Sequence, residues 1–317
     1  MKLSIIMPSK NEAEGIAYAL ESWIRVCEGL DYEIIVVDDS DDETPLIVKK
    51  YAEKYQNIKL IYGERKGVGA ARNLGFKHST GEIIIWSDAD GDPEGLRDEI
   101  IEAQRKWINS VLNSFKDDDV DIVVSDHTYC FFHNLIQNIE TLRQFNLTSM
   151  MAECYRRRVL EDSLIPEEVT VGEDIDLYLK ALSKCKKIVK SNQPKPVFAS
   201  VWSISDVYRR YLWYGREIWN FLKYHKREIY RVLVPILHVF SLLLLPFTIL
   251  NLLYVLPFIT VVALEYIRHL NRLPTAVKLK KFKVWLLIPF LITFERCAYS
   301  IGLALGIKSF LKNKVDR

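Results

Sequence analysis

The sequence has almost no net charge: 43 Lys and Arg stand against 41 Asp and Glu over 317 residues, a formal +2. That removes the global basic field that drives nucleic-acid binding. Paired cysteines are missing too. The five present, Cys27, Cys130, Cys154, Cys185 and Cys297, are scattered, odd in number and form no CxxC. Neither a disulfide framework nor a zinc site is expected, and reduced, mostly buried thiols are. The opening MKLSIIMPSKNE lacks an apolar run of signal-peptide length and reads as a first strand. Charge is absent from one long stretch, 232–264, where only His238 titrates near neutrality.

The first two thirds alternate short apolar runs with helical spacing. Strands are expected at 2–8, 32–39, 58–62, 82–88 and 120–126, and helices at 12–27, 43–55, 69–78 and 93–115. The last helix opens on Pro93, where a missing N–H costs nothing. This alternation predicts an α/β fold with a largely parallel sheet covered by helices on both faces. Ligands bind such sheets beyond the carboxyl ends of the strands. Acid stands at three of those ends: Asp38 with Asp39, Asp88, and Asp126. The run KDDDVD at 116–121 reads as a solvated turn. Asn146-Leu147-Thr148 fits a glycosylation sequon, which means little if this part faces the cytosol.

The last third is different. Residues 204–231 mix aromatics with Arg and Lys at helical spacing, which suits a helix at a membrane–water boundary. A helix packed on the soluble domain is the other reading. A span needs about 20 apolar residues. The run 232–264 is too long for one straight span and fits two short ones turning near Asn251, with Pro235, Pro246 and Pro257 available to bend them. A third candidate is 284–307. The expected organisation is a catalytic domain at 1–203, interfacial helices at 204–231 and a transmembrane region at 232–317, with spans at 232–250, 252–267 and 284–307. The basic loop at 268–283 is expected in the cytosol with the catalytic domain. A three-span count leaves the basic tail outside, so one run is alternatively re-entrant. Glu295 and Arg296 interrupt the third span and are expected to face the bundle interior, pairing across spans or holding a lipid.

The chemistry centres on Asp88, Asp90 and Asp92 in WSDADGDPEG. An EF-hand loop needs positive φ at its sixth position, and Pro93, fixed near −65°, stands there. A Mg²⁺ or Mn²⁺ site fits better. Such an ion takes one or two carboxylates plus substrate phosphates, and carboxylates spaced i, i+2 at a strand end can reach one diphosphate. Ala89 between them is small enough for a nucleotide to approach.

Four further motifs accompany this one: PSKNEAEGI at 8–16, VVDDSDDET at 36–44, GVGAARNLGF at 67–76 and GEDIDL at 172–177. In this order and spacing the set resembles the family-2 glycosyltransferases of GT-A fold, over about residues 1–200. With the apolar tail, the chain is similar to archaeal-type polyprenyl- or dolichyl-phosphate mannosyltransferases. The resemblance implies a cytosol-facing, multi-pass membrane enzyme. Its donor would be a nucleotide sugar, GDP-mannose foremost, its cofactor Mn²⁺ or Mg²⁺ and its acceptor a polyprenyl lipid.

It also implies roles by position. Pro8, Ser9, Asn11 and Glu12 would line the nucleotide pocket. Asp39 would accept from the base, with Asp38 behind it. Gly67, Arg72 and Asn73 would lie near ribose and diphosphate. Asp88, Ala89 and Asp90 would face the donor, with Asp88, Asp90 and Asp92 toward the metal. Asp174 would be the catalytic base. Plainer readings stand beside these: Asp38 and Asp39 as helix caps, Arg72 as a structural partner of an acid, Asp174 as an N-cap. A lipid phosphate needs no base, whereas a sugar hydroxyl does, so the retained Asp174 leaves room for a lipid-linked sugar acceptor. The QxxRW motif of processive synthases is missing. DVYRRYLWYG at 206–215 stands where it would fall, leaving Arg209, Arg210 and Arg216 to bind an acceptor or donor phosphate. A processive polysaccharide synthase, a non-sugar nucleotide-dependent membrane enzyme and a non-enzymatic scaffold are the alternatives.

Overall fold

The computed structural model describes residues 1–125, 127–129, 135, 136, 138, 139, 154–167, 169–197, 203–278 and 280–315. Asp126, Cys130 and the sequon at 146–148 lie outside them. The chain divides into two compact units, residues 1–128 with 147–198, and 129–146 with 199–317. The second unit thus takes in a segment that the sequence reading gave to the first.

The first unit is built on a seven-stranded sheet in the order β3-β2-β1-β4-β7-β5-β8. Strands β1 (Leu3–Ser9), β2 (Tyr32–Asp38), β3 (Ile58–Tyr62) and β4 (Ile83–Trp86) run parallel, with Ile5 opposite both Ile34 and Ile85. Strand β7 (Cys154–Arg156) then runs antiparallel to both β4 and β5 (Val120–Val124), while β8 (Lys187–Lys190) returns parallel to β5. The sheet is therefore mixed. Two short strands, β6 (His127–Tyr129) and β9 (Lys195–Val197), pair separately.

The continuous apolar strands bury both faces. Ile34 and Val36 join the large core under α1 (Ile16–Val26) and α4 (Asp98–Ser114), while Ile35 and Val37 pack against Ala71 of α3 (Val68–His78) on the other side. Each such side chain contributes about 1.5–3 kcal/mol by leaving water. Helix α2 (Thr44–Lys54) completes the cover beside β3. The helix expected over 93–115 is broken. Pro93–Leu96 form a 3₁₀ turn, Arg97 is extended (φ −62°, ψ 141°), and α4 starts afresh at Asp98. Helix α5 (Glu173–Leu182) follows Gly172, whose φ of 77° suits glycine. The described cysteines, Cys27, Cys154, Cys185 and Cys297, are all free thiols.

The second unit is helical. Helix α6 (Ile204–Tyr224) opens with a capping box between Ser203 and Asp206. Helices α7 (Tyr230–Leu243), α8 (Leu256–Arg268), α9 (Leu273–Lys278) and α10 (Phe282–Val315) follow. The expected turn near Asn251 is present: that residue is extended and caps the 3₁₀ turn Leu252–Val255. Among the described residues, two stretches are long and apolar enough to cross a membrane, Lys226–Ile249 and Phe282–Ile307. A third crossing would need Leu252–Arg268 and Leu270–Lys278, bent by 44° to each other, to act as one span.

Helix α6 does not stand alone at a boundary. It lies along α10 with backbones nearly touching, because Gly215, Gly302 and Gly306 leave no room for a side chain against Tyr299, Leu212 and Arg216 respectively. The spacing of Gly302 and Gly306 is the small-xxx-small pattern of closely packed helices. The charges in α10 face inward as expected. Arg296 pairs with Glu265 of α8, Glu295 is buried, and His238 of α7 shares a hydrogen bond with Thr293 at 2.9 Å.

Candidate active site

Because β1, β2 and β4 are parallel and in register, the loops after Ser9, Asp38 and Trp86 emerge at one edge of the sheet. Asp38 is turned inward. Its Oδ1 accepts from Ser9 Oγ at 2.6 Å and Ser40 Oγ at 2.7 Å, so both Ser9 and Asp38 fix the loop. Asp39 is also buried, and its Oδ1 accepts from Arg65 N–H at 2.9 Å. A side chain at Gly63 would collide with that carboxylate. Asp39 lines a cavity of about 320 Å³ together with Lys66, Asn73, Leu74 and Ile165.

Pro8 is partly buried beside Val37. Asn11 has φ 58°, donates from its N–H to Ser40 Oγ at 2.7 Å and accepts from Asp41 N–H at 2.9 Å. The other strained non-glycine here is Arg65, φ 56°. Glu12 donates from its N–H to Thr44 Oγ1 at 2.9 Å. Burial raises the pKa of its carboxyl, and the nearby charges of Asp42 and Asp88 raise it further.

The loop after β4 alternates. Asp88 is 80% exposed, Ala89 is buried and Asp90 is exposed. Both carboxylates therefore point away from the core, as i, i+2 spacing in an extended segment requires. The loop is held against the first turn of α1, where a Cβ on Gly15 would lie 2.9 Å from Gly91 N. Asp92 turns aside. It is buried, and its Oδ1 caps the 3₁₀ turn by accepting from Glu94 N–H at 2.8 Å. Its Oδ2 is buried without a hydrogen-bond partner.

Arg72 of α3 brings a guanidinium to the side of this edge near Asp88. Its side chain is 11% exposed, with Nη1 on Glu173 Oε1 at 2.5 Å and Nη2 3.9 Å from Asp88 Oδ1. Glu173, Asp88 and Asp174 together raise its pKa against the effect of burial. Burial raises the Glu173 carboxyl, Arg72 opposes this and Asp174 adds to it. Asp174 lies in the first turn of α5, its Oδ1 accepting from Ile175 N–H at 2.8 Å. Gly67 before α3 has φ 98°, and a Cβ there would lie 2.7 Å from Thr170 Cγ2.

Asn73 points elsewhere. Its amide clamps the backbone of Ile165, donating to the carbonyl at 2.8 Å and accepting from the N–H at 3.0 Å. Sequence reasoning gave no role to Glu173, the direct partner of Arg72. Its place beside Asp174 in GED was the available signal. Tyr155, buried on β7 and within reach of the charges of Asp174 and Arg72, had none.

The arginines assigned to an acceptor all lie on α6 of the second unit. Arg209 is exposed and pairs with Asp206 at 3.0 Å, and Arg216 pairs with Glu217 at 2.9 Å. Arg210 is partly buried.

The ligand set Asp88, Asp90 and Asp92 does not assemble. Among the described residues no three carboxylates, imidazoles or thiols converge to hold a metal. The reason is the cap: Asp92 closes the helix start while Asp88 and Asp90 face outward. Two outward carboxylates still fit Mn²⁺ or Mg²⁺ that completes its shell with substrate phosphates.

This layout, a mixed α/β sheet with a carboxylate pair after its fourth strand, is the GT-A fold. The chain superposes on the mannosyltransferase PcManGT of Pyrobaculum calidifontis, solved in complex with GDP-Man and Mn²⁺, with a TM-score of 0.52. The match has 18% identity and covers 95% of this chain and 86% of that one. Residues 4–158 match the family described as "Glycosyl transferase family 2", so the family-2 glycosyltransferase match lies on that stretch, from β1 to the turn after β7. Among curated relatives, the minor teichoic acid biosynthesis protein GgaB of Bacillus subtilis is 30% identical over 205 residues, 58% of this chain and 21% of GgaB. The dolichol-phosphate mannosyltransferase of Pyrococcus furiosus is 34% identical over 116 residues, 36% of this chain and 33% of that protein. The chain thus spans about a fifth to a third of the length of these relatives.

Proposed function

We propose that the protein is an inverting, divalent-metal-dependent glycosyltransferase that moves mannose from GDP-mannose to a membrane lipid acceptor, dolichyl phosphate or a dolichyl-linked glycan. One observation carries the reading: the outward carboxylates Asp88 and Asp90 stand at the carboxyl edge of the sheet, beside Arg72 and the first turn of α5 with Asp174. The donor and lipid are supported by what two similar proteins are described as using, GDP-Man with Mn²⁺ in one and dolichol phosphate in the other. The two long apolar helices support a membrane-embedded acceptor. With a further crossing at 252–267, the basic 268–283 loop and the catalytic unit would both face the cytosol.

When bound, Mn²⁺ or Mg²⁺ would offset the charge that builds on a departing diphosphate. Asp88 and Asp90 would hold it. Asp39 would accept from a ring N–H of the base, with Pro8, Ser9, Asn11 and Glu12 forming the adjacent wall and Gly67 letting the backbone approach. Arg72 supplies fixed positive charge on the side of Asp88. An acceptor oxygen attacks the anomeric carbon opposite the diphosphate, and the breaking C–O bond leaves its electron pair on phosphate. Arg209, Arg210 and Arg216 would serve the anionic head group of the lipid.

A hydroxyl acceptor is the second reading, favoured by Asp174, which would take the hydroxyl proton. The test is incubation with labelled GDP-mannose and a lipid extract. Label is expected in the organic phase, and label remaining wholly in water would overturn the lipid acceptor. Asp174→Asn separates the two readings, since it should abolish transfer to a hydroxyl and spare transfer to a phosphate.

A further inference from the structure

Arg72 has more hydrogen-bonding capacity than its surroundings use. Its Nη1 is bound to Glu173 at 2.5 Å, its Nε is buried with no partner, and its Nη2 stops 3.9 Å short of Asp88 Oδ1. Asp88 is mostly in water, at 80% exposure, whereas Glu173 is 13% exposed. An unsatisfied guanidinium in a buried position seeks a planar bidentate carboxylate. Asp88 is the nearest candidate, and a shift of about 1 Å would bring it within hydrogen-bond distance. What opposes that shift is the bond to Glu173, anchored in the first turn of α5 behind Gly172.

We infer that Glu173 is a positioning residue that keeps Arg72 off Asp88, so that the Asp88 carboxylate stays free for the divalent cation. This rests on the metal-dependent reading above. Arg72 and the cation compete for one carboxylate, and Glu173 decides the competition in favour of the cation. The pair is then more than a brace between α3 and α5. It sets how available the metal site is.

The test is titration of the full-length protein in detergent with Mn²⁺, followed by electron paramagnetic resonance at saturating GDP and, in a second series, UDP. Glu173→Gln keeps the shape and removes the charge. Its apparent Mn²⁺ affinity should fall by about tenfold or more, the usual cost of losing a group that orients a metal ligand. Removing the competitor as well, in Arg72→Met/Glu173→Gln, should restore the affinity to about the wild-type value. Turnover of Glu173→Gln should recover at high Mn²⁺, with the change confined to the apparent KM for the metal. Unchanged Mn²⁺ affinity in Glu173→Gln overturns the inference. So does a double variant that binds as weakly as the single one, because Glu173 would then act only as a brace. Absence of Mn²⁺ binding in the wild type is a different result, and it sinks the metal-dependent reading itself.

Discussion

At the scale of single residues, the carboxylates of this protein differ in their work, and substitutions should separate them. Asp90→Asn should lower transfer by about 100-fold or more, because a misplaced metal removes charge stabilisation in the transition state. Asp92→Ala should instead cost about 1 kcal/mol of stability, the value of a lost N-cap, and leave Mn²⁺ affinity close to wild type. Thermal melting and metal titration on the same samples distinguish the two effects. Glu33 is an acid with a purely structural task. It is 2% exposed and accepts from Ser4 Oγ at 2.7 Å, Lys59 Nζ at 2.7 Å, and Thr80 N–H and Oγ1 at 2.6 and 2.8 Å. Burial alone would raise its carboxyl pKa, but these donors bring it down to about 2. A carboxyl whose pKa is lowered by folding stabilises the fold above its unfolded value near 4.5, and that contribution is lost as pH falls toward 2. Glu33→Gln should therefore lower the melting temperature at pH 7 and flatten its fall between pH 4.5 and 2.

At the scale of elements, the parallel half of the sheet was legible in the sequence, because short continuous Val- and Ile-rich runs alternating with helical spacing mark strands buried on both faces. Strands β7 and β8 were not. CYR is three residues long with a charge at its end, and KIVK has only two apolar residues between lysines, so pairing with β5 and β4 creates these strands rather than local preference. The break at Arg97 was also hidden. Pro93 signals a helix start, but only the Asp92 cap and the extended Arg97 show that the first turn is separate. Near the site, the placement of Asp38 at a strand end and of Asp88 and Asp90 in the loop after β4 was readable. The partner of Arg72 was not, since α3 and α5 are far apart in sequence, and neither was the diversion of Asn73 onto Ile165. The contact of α6 with α10 gives a prediction at this scale. Gly302→Leu should force the helices apart at the cost of about 1–3 kcal/mol. Limited proteolysis should then cut α6 faster than in the wild type, and an unchanged cleavage rate would deny the close approach.

At the scale of the whole molecule, a GT-A unit that carries the family-2 match is joined to a helical unit whose apolar surface is extensive, with Ile249 90% and Leu250 78% exposed. Helix α10, at about 51 Å for its 34 residues, is longer than the roughly 30 Å of a hydrocarbon core. The full chain should therefore stay with the membrane pellet after alkaline carbonate extraction, and release into the supernatant would show that its apolar helices do not cross. The central claim is that Asp88 and Asp90 recruit a divalent cation to a sugar nucleotide. It is tested most directly by following transfer of label from GDP-mannose to lipid, in wild type and Asp90→Asn, with Mn²⁺ and with excess chelator. Transfer that requires Mn²⁺ and collapses in Asp90→Asn is the predicted result. Transfer that persists with chelator, or that is equal in the two proteins, would contradict it.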